Sequence, residues 1–218
     1  MSKQQIFFLD FETTGLNPYY NDIIELAIKQ LGVKESYTTF IMPSIDVSKP
    51  REGGISNIVP SKVTEITGIT DEVLQEKGIS TKDAILGLFE YLQSQCDTTK
   101  PIYLVAHNGI LFDFLFLKKY IRKYMDDFTV GYLRILENIK YIDSMLFARL
   151  FMGSERVNQP GLCRKYNVKN RAEHRALGDV QALEKIYKYM CQEYSNYMKQ
   201  DKDYYLDNPE AIIEDCLV

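Results

Sequence analysis

Ile6-Phe7-Phe8-Leu9-Asp10-Phe11, continuing through Glu12-Thr13-Thr14-Gly15, is the stretch from which the rest of this chain can be read. A short apolar and aromatic run bounded by turn residues reads as a buried strand. Asp10 is the anomaly in it, because a carboxylate is costly to bury without a partner. Residues i and i+2 of a strand share a face, so Asp10 and Glu12 project side by side. Two like charges at that spacing repel each other, and a divalent cation between them removes the repulsion. An all-oxygen donor set favours Mg²⁺ or Mn²⁺. Taken alone, the same Asp-x-Glu also fits an exposed strand end with two solvated acids.

Outward from this strand, Thr13-Thr14-Gly15 and Asn17-Pro18 supply turn chemistry, and strands resume over Ile23–Leu31 and Tyr37–Met42. The first third therefore reads as adjacent strands joined by hairpins. From Pro60 the pattern turns helical. Ser61–Thr67 and Thr70–Lys77 each open on a hydroxyl residue able to cap a helix. Thr81–Gln95 repeats Ala84, Ile85, Leu88, Phe89 and Leu92 at three- and four-residue spacing. Ile102–Ala106 reads as a buried strand. Phe112–Tyr124 reads as a helix with Phe112, Leu115, Phe116 and Tyr120 inward and Lys118, Lys119, Arg122 and Lys123 outward. A strand over Lys140–Ile142 and a helix over Asp143–Phe151 follow. A long helix then runs from near Arg175 to about Tyr197, burying Leu177, Val180, Leu183, Ile186 or Tyr187, and Met190. Residues 199–218 are rich in acid and read as a tail appended to a single domain over 1–198. Strands first, then alternating helices and strands, predict an α/β fold on a mixed sheet.

Two further segments carry isolated acids. Ala106-His107-Asn108-Gly109-Ile110-Leu111-Phe112-Asp113 ends a strand, turns, and opens a helix with Asp113 in its first turn. An acid there is also a simple partner for the helix dipole, and His107 reads as a turn or packing residue. In His174-Arg175-Ala176-Leu177-Gly178-Asp179, a continuous helix would set His174 and Asp179 about 140° apart. They converge only if His174 lies on the preceding loop and Asp179 in the first turns. Glu173 reads as the electrostatic cap of that helix.

In this order, FLDFETTG (8–15), AHNGILFDF (106–114) and HRALGDV (174–180) resemble the motifs of the DEDD exonuclease superfamily. The histidine is that of the subtype containing bacterial polymerase proofreading domains, RNase T and the TREX enzymes. Glu65-Ile66-Thr67-Gly68-Ile69-Thr70-Asp71 resembles a Thr-Gly-Ile segment of Gram-positive polymerase proofreading domains and TREX-like members. Ile142-Asp143-Ser144 resembles the strand and acid that precede the third motif region. The resemblance covers about residues 5 to 195 and implies an RNase H-like fold, a mixed central sheet flanked by helices in one domain. It further implies a two-metal 3′→5′ exonuclease that releases nucleoside 5′-monophosphates. Asp10 would bridge two Mg²⁺ or Mn²⁺ ions, Glu12 and Asp179 would complete the first, and Asp113 would hold the second through water. His174, on a mobile loop, would take the proton of the attacking water. Thr13, Thr14, Gly15, Leu16, Ile66, Asn108 and Arg175 are the substrate contacts implied, with Leu16 and Ile66 against the last base. Arg164, Lys165, Lys169, Arg171 and Arg175, with the Lys118–Lys123 cluster, offer a phosphate-tracking groove or a solvated helix face. Asn158-Gln159-Pro160-Gly161-Leu162 departs from its relatives, so the pocket edge is expected to differ there.

Bulk properties agree with an enzyme better than with a coating protein. Across 218 residues, 45% hydrophobic and 26% charged content is ordinary for a soluble domain, and a net charge of −4 argues against non-specific coating of nucleic acid. The four cysteines are scattered, which argues against a disulfide framework or structural zinc and for a reducing compartment; two histidines are too few for a His-rich metal site. With no signal-peptide layout and no apolar run near the ~18 residues of a membrane span, the expectation is an intracellular protein, cytoplasmic or nuclear, neither secreted nor membrane-bound. Expected partners are single-stranded or frayed 3′ ends of DNA or RNA. Ala211-Ile212-Ile213 and Leu217-Val218 make the tail either a docking segment for a polymerase or other protein, or a solvated end. A proofreading subunit, an exoribonuclease and a non-catalytic nucleic-acid module are the competing readings. The last has no physical reason to keep four crowded carboxylates.

Overall fold

The computed structural model describes residues 4–43, 58–153, 156–170 and 172–217; Arg171 and Val218, named above, lie outside the described residues. Strands β1 (Gln5–Thr13), β2 (Ile23–Gln30), β3 (Ser36–Met42), β4 (Ile79–Ser80), β5 (Ile102–Ala106) and β6 (Ile139–Asp143) form one mixed sheet in the spatial order β4-β3-β2-β1-β5-β6. The β1–β2 and β2–β3 pairs are antiparallel, and the other neighbours are parallel.

The central place of β1 accounts for its unbroken apolar run, since both of its faces are covered. Phe7, Leu9 and Phe11 pack toward α3 (Thr81–Gln95), α4 (Asp113–Lys123) and α5 (Val130–Asn138). Ile6 and Phe8 pack toward α6 (Ser144–Met152), α7 (Gln159–Lys165) and α8 (Ala176–Tyr197). Two short helices follow, α1 (Ser61–Thr67) and α2 (Asp71–Lys77); Ile69 in the link between them and Leu74 on α2 are buried with Ile24 and Val59. Thr70 caps α2 through Val73 N at 3.3 Å, whereas Ser61 caps nothing: α1 starts after Pro60, whose fixed φ suits a helix entry.

Two expectations are corrected. On α4 the buried stripe is Phe114, Phe116, Leu117, Tyr120 and Ile121, while Leu115 is 40% exposed. Burying Asp113 at the helix start turns the inward face by about one residue. The acidic segment after α8 is not a solvated tail. Its helices α9 (Tyr204–Asp207) and α10 (Pro209–Cys216) put Tyr205 and Ile212 into the core beside Tyr194. Tyr194 and Tyr205 both donate to Asp215, at 3.1 and 2.9 Å. The apolar members of that segment recur at helical spacing, and their burial outweighs the exposed acids between them. All four cysteines are unpaired. Among the described residues no helix is long and apolar enough to cross a membrane.

Candidate active site

Strand parity places the first two acids. Asp10 and Glu12 continue the face that carries Ile6 and Phe8, so they point toward α8, where Asp179 occupies the first turn. One oxygen from each of Asp10, Glu12 and Asp179 can be chosen so that all three lie within 4.8 Å of one another. Asp113 arrives differently. Parallel pairing of β1 with β5 stops at Phe8–Val105, and beyond it Asp113 Oδ1 accepts the Phe11 amide at 3.1 Å. Asp113 is only 2% exposed and lies outside the group of three. It remains close enough to Asp10 that the two carboxylates repel.

Electrostatics show what this crowding costs. Burial first, then Asp113, Asp179 and Glu12, push the Asp10 carboxyl well above the ordinary range. Burial, with Asp179 and Glu25 next, pushes Glu12 up to about 8. Burial likewise takes Asp113 to about 8 and Asp179 to about 6. Hard oxygen donors whose charges need compensation are the donor chemistry of Mg²⁺ or Mn²⁺, so these residues fit such an ion.

Asp179 is held from three sides. Its Oδ1 accepts Asn170 Nδ2 at 2.7 Å and Gln159 Nε2 at 3.1 Å, and its Oδ2 accepts the His174 amide at 3.0 Å. His174 therefore stands on the loop before α8, as convergence required. Its backbone is left-handed (φ 60°), and its imidazole is about half exposed. That conformation costs a non-glycine residue about 1–2 kcal/mol, which the hydrogen bond to Asp179 helps to offset. Gln159 opens α7, with Asn158 as its cap through Gly161 N at 3.1 Å. Neither Gln159 nor Asn170 is identified by sequence reading, because amides carry no spacing signature.

Glu25 belongs to the site as well, and it carries a sequence signal of its own: like Asp10, it is an acid inside an apolar strand run, Ile23-Ile24-Glu25-Leu26-Ala27-Ile28. It is 3% exposed, accepts the first amide of α8 (Ala176 N, 3.0 Å) and pairs with Arg175 Nη2 at 2.8 Å. The cap of α8 is therefore Glu25 and not Glu173, which lies out beside His174, 3.9 Å from its Nε2.

The implied substrate contacts divide into committed and free groups. Thr13 Oγ1 donates to Gly15 O at 2.7 Å, and Thr14 bonds Asp22 through both amide and hydroxyl. Gly15 approaches Asn21 so closely that a Cβ would sit 2.7 Å from its side chain. These three residues shape the loop after β1 and leave Leu16 82% exposed at its tip. Ile66 is 48% exposed on α1. Asn108 takes a left-handed turn (φ 61°), with its amide bound to Asp143 Oδ1 at 3.1 Å. Asp143 also takes the Ile110 amide and caps α6 through Met145 N at 2.9 Å. His107 bonds Ser144 through Nδ1 at 2.9 Å, and burial holds it down at about 4, which suits the packing role expected of it. Of the basic residues, Arg164 and Lys169 line the cleft of about 660 Å³ that also contains Asp10, Glu12, His174 and Asp179. Lys119 is tied to Asn21 O and Asp22, at 2.8 and 2.9 Å.

Comparison with known proteins gives the family and the fold. The sequence pattern of the RNase T exonuclease family matches residues 7–187. The chain belongs to that family. It is 30% identical over 182 residues to a PolC-type DNA polymerase III of Thermotoga maritima, covering 82% of this chain and 11% of the polymerase. It is 27% identical over 188 residues to Exonuclease DPD1, chloroplastic/mitochondrial, of Arabidopsis thaliana, covering 82% of this chain and 53% of that protein. The chain thus spans only part of these relatives. In fold it resembles the zinc-bound complex of E. coli Exonuclease I with single-stranded DNA: TM-score 0.67 at 16% identity, over 89% of this chain and 42% of that one. The fold of this exonuclease domain is accordingly the RNase H-like α/β fold expected from the motifs.

Proposed function

We propose that the chain is a divalent-metal-dependent 3′→5′ exonuclease that removes nucleoside 5′-monophosphates from single-stranded or frayed 3′ ends of DNA. The observation that carries this reading is the convergence of Asp10, Glu12 and Asp179 on one point, with His174 at the lip of the same cleft. Asp10, Glu12 and Asp179 would hold Mg²⁺ or Mn²⁺, with Asp113 behind Asp10 as the fourth acid. Such ions, when bound, polarise the phosphoryl oxygen and stabilise both the attacking and leaving oxygens of an in-line displacement.

The chain's own groups do the remaining work. His174 accepts the proton of the attacking water, the role of a general base. Gln159 and Asn170 saturate Asp179 Oδ1 and leave Oδ2, bonded once, to face the cleft. Arg164 and Lys169 supply positive charge for the backbone phosphates. The exposed Leu16 and Ile66 offer apolar contact to the terminal base, which needs no sequence code. DNA is favoured over RNA by the relatives, which include DNA polymerases, and by the single-stranded DNA bound to Exonuclease I.

The test is product identification from a DNA oligonucleotide with Mg²⁺ or Mn²⁺. Nucleoside 5′-monophosphates should accumulate, and chelator or Asp10→Ala should stop them. Oligonucleotide products or 3′-monophosphates would count against the assignment. A second reading, a proofreading unit acting beside a polymerase, is supported by the PolC-type relatives, of which this chain matches 11–12%. Tyr205 and Ile212 of the C-terminal segment are buried whereas Leu217 is 82% exposed, so a polymerase contact through that segment would use its exposed residues. Co-purification with a polymerase tests this second reading.

A further inference from the structure

A row of side chains crosses three strands beside the acidic site: Glu12 on β1 is paired with Glu25 on β2, which is paired with Phe40 on β3. Arg175 lies over this row. Its guanidinium sits 5.1 Å from the Phe40 ring centroid and grips Glu25 through Nη2 at 2.8 Å and Nε at 3.2 and 3.3 Å. The second Glu25 oxygen takes the Ala176 amide at 3.0 Å. Both oxygens of a 3%-exposed carboxylate are thus spent on fixing where α8 begins. His174 is the residue before Arg175, and the Asp179 amide bonds Arg175 O at 3.0 Å. Arg175 also lines a separate groove of about 330 Å³, with Thr38, Thr39 and Phe40, rather than the acidic cleft.

Resting on the proposed metal site, we propose that Glu25 and Arg175 are positioning residues: the ion pair between buried Glu25 and half-exposed Arg175 sets the distance from Glu12 to Asp179 and His174, and Arg175 is not a substrate-phosphate clamp. The cost of the arrangement supports a functional placement. Glu25 adds a further negative charge against Glu12 and Asp10, and a neutral Gln of the same length could accept the Ala176 amide without that repulsion. A carboxylate is needed where a guanidinium must be held in a fixed bidentate orientation.

The experiment compares wild type with Glu25→Gln, Arg175→Gln and Arg175→Lys, the half-exposed arginine providing variants that should fold. Mn²⁺ binding is followed by calorimetry or paramagnetic resonance without substrate, and kcat and KM are measured on a DNA oligonucleotide at two salt concentrations. The expected result is Mn²⁺ affinity and kcat each lowered by roughly 10–100-fold, with KM and its salt dependence unchanged, and partial recovery in Arg175→Lys. A raised KM with a shallower salt dependence and unaltered Mn²⁺ binding would make Arg175 a phosphate clamp and overturn the proposal. A lowered melting temperature with wild-type Mn²⁺ binding and kcat would reduce the pair to a plain structural contact. If the wild type binds no Mn²⁺, the metal-site reading itself fails, and this inference with it.

Discussion

Replacing Glu12 by Gln should stabilise the metal-free protein while destroying its activity. Burial, Asp179 and Glu25 raise the Glu12 carboxyl from 4.5 to about 8. Each tenfold change in proton affinity is worth ~1.4 kcal/mol, so keeping this group ionised at pH 8.5 costs up to ~5 kcal/mol. Glu12 is partly exposed, and solvent screening reduces the figure to on the order of 2 kcal/mol. For a domain of this size that corresponds to roughly 4–8 °C in melting temperature. The sign follows from linkage: a carboxyl whose folded-state pKa is raised binds its proton more tightly when folded, so stability is lost as pH climbs from about 4.5 to 8. Thermal melts in chelator should therefore put Glu12→Gln above wild type by that amount at pH 8.5, with the gap shrinking as pH falls and closing below about 4.5. Adding Mg²⁺ should raise the wild type more than the variant. Turnover should fall by more than the roughly 10–100-fold usual for residues behind the ligands. Equal melting temperatures at pH 8.5, or a gain that persists unchanged at pH 5, would show that the carboxylates do not repel one another as described.

Other outcomes follow from the same geometry. His174→Ala should leave Mn²⁺ binding intact and lower kcat by about 10²–10⁴-fold; unchanged turnover would remove His174 from the base role. Truncating Leu16 and Ile66 together to Ala should raise KM on oligonucleotides with little change in melting temperature, because both side chains are exposed; an unchanged KM would return them to plain surface. Ile212→Ala, at a fully buried site in α10, should cost about 2–5 kcal/mol, and a chemical-denaturation midpoint equal to wild type would contradict the packing of the C-terminal helices.

What the sequence revealed depended on period and order. The i, i+2 relation of Asp10 and Glu12 survives folding because a central strand has no freedom to turn them apart. The requirement that His174 leave the helix was geometric, and the left-handed turn at His174 meets it. What stayed hidden was set by tertiary contact. Glu25 caps a helix that begins 151 residues later, and no local pattern announces such a partner. Arg175 looked available beside His174, yet that buried acid already holds it. The acids after α8 suggested solvent, because composition weighs exposed Asp and Glu equally with the few residues, Tyr205 and Ile212, that decide where the segment packs. The inward face of α4 differs from the sequence pattern by about one residue, since the burial of Asp113 against the Phe11 amide depends on β1 and β5 parting beyond Phe8.

The most direct test of 3′→5′ polarity follows a 5′-labelled single-stranded DNA oligonucleotide over time with Mg²⁺ or Mn²⁺. The label should step down through a ladder shortening from the 3′ end, and circular or 3′-blocked substrate should remain intact. Immediate release of a labelled mononucleotide, or cleavage of the circle, would contradict it.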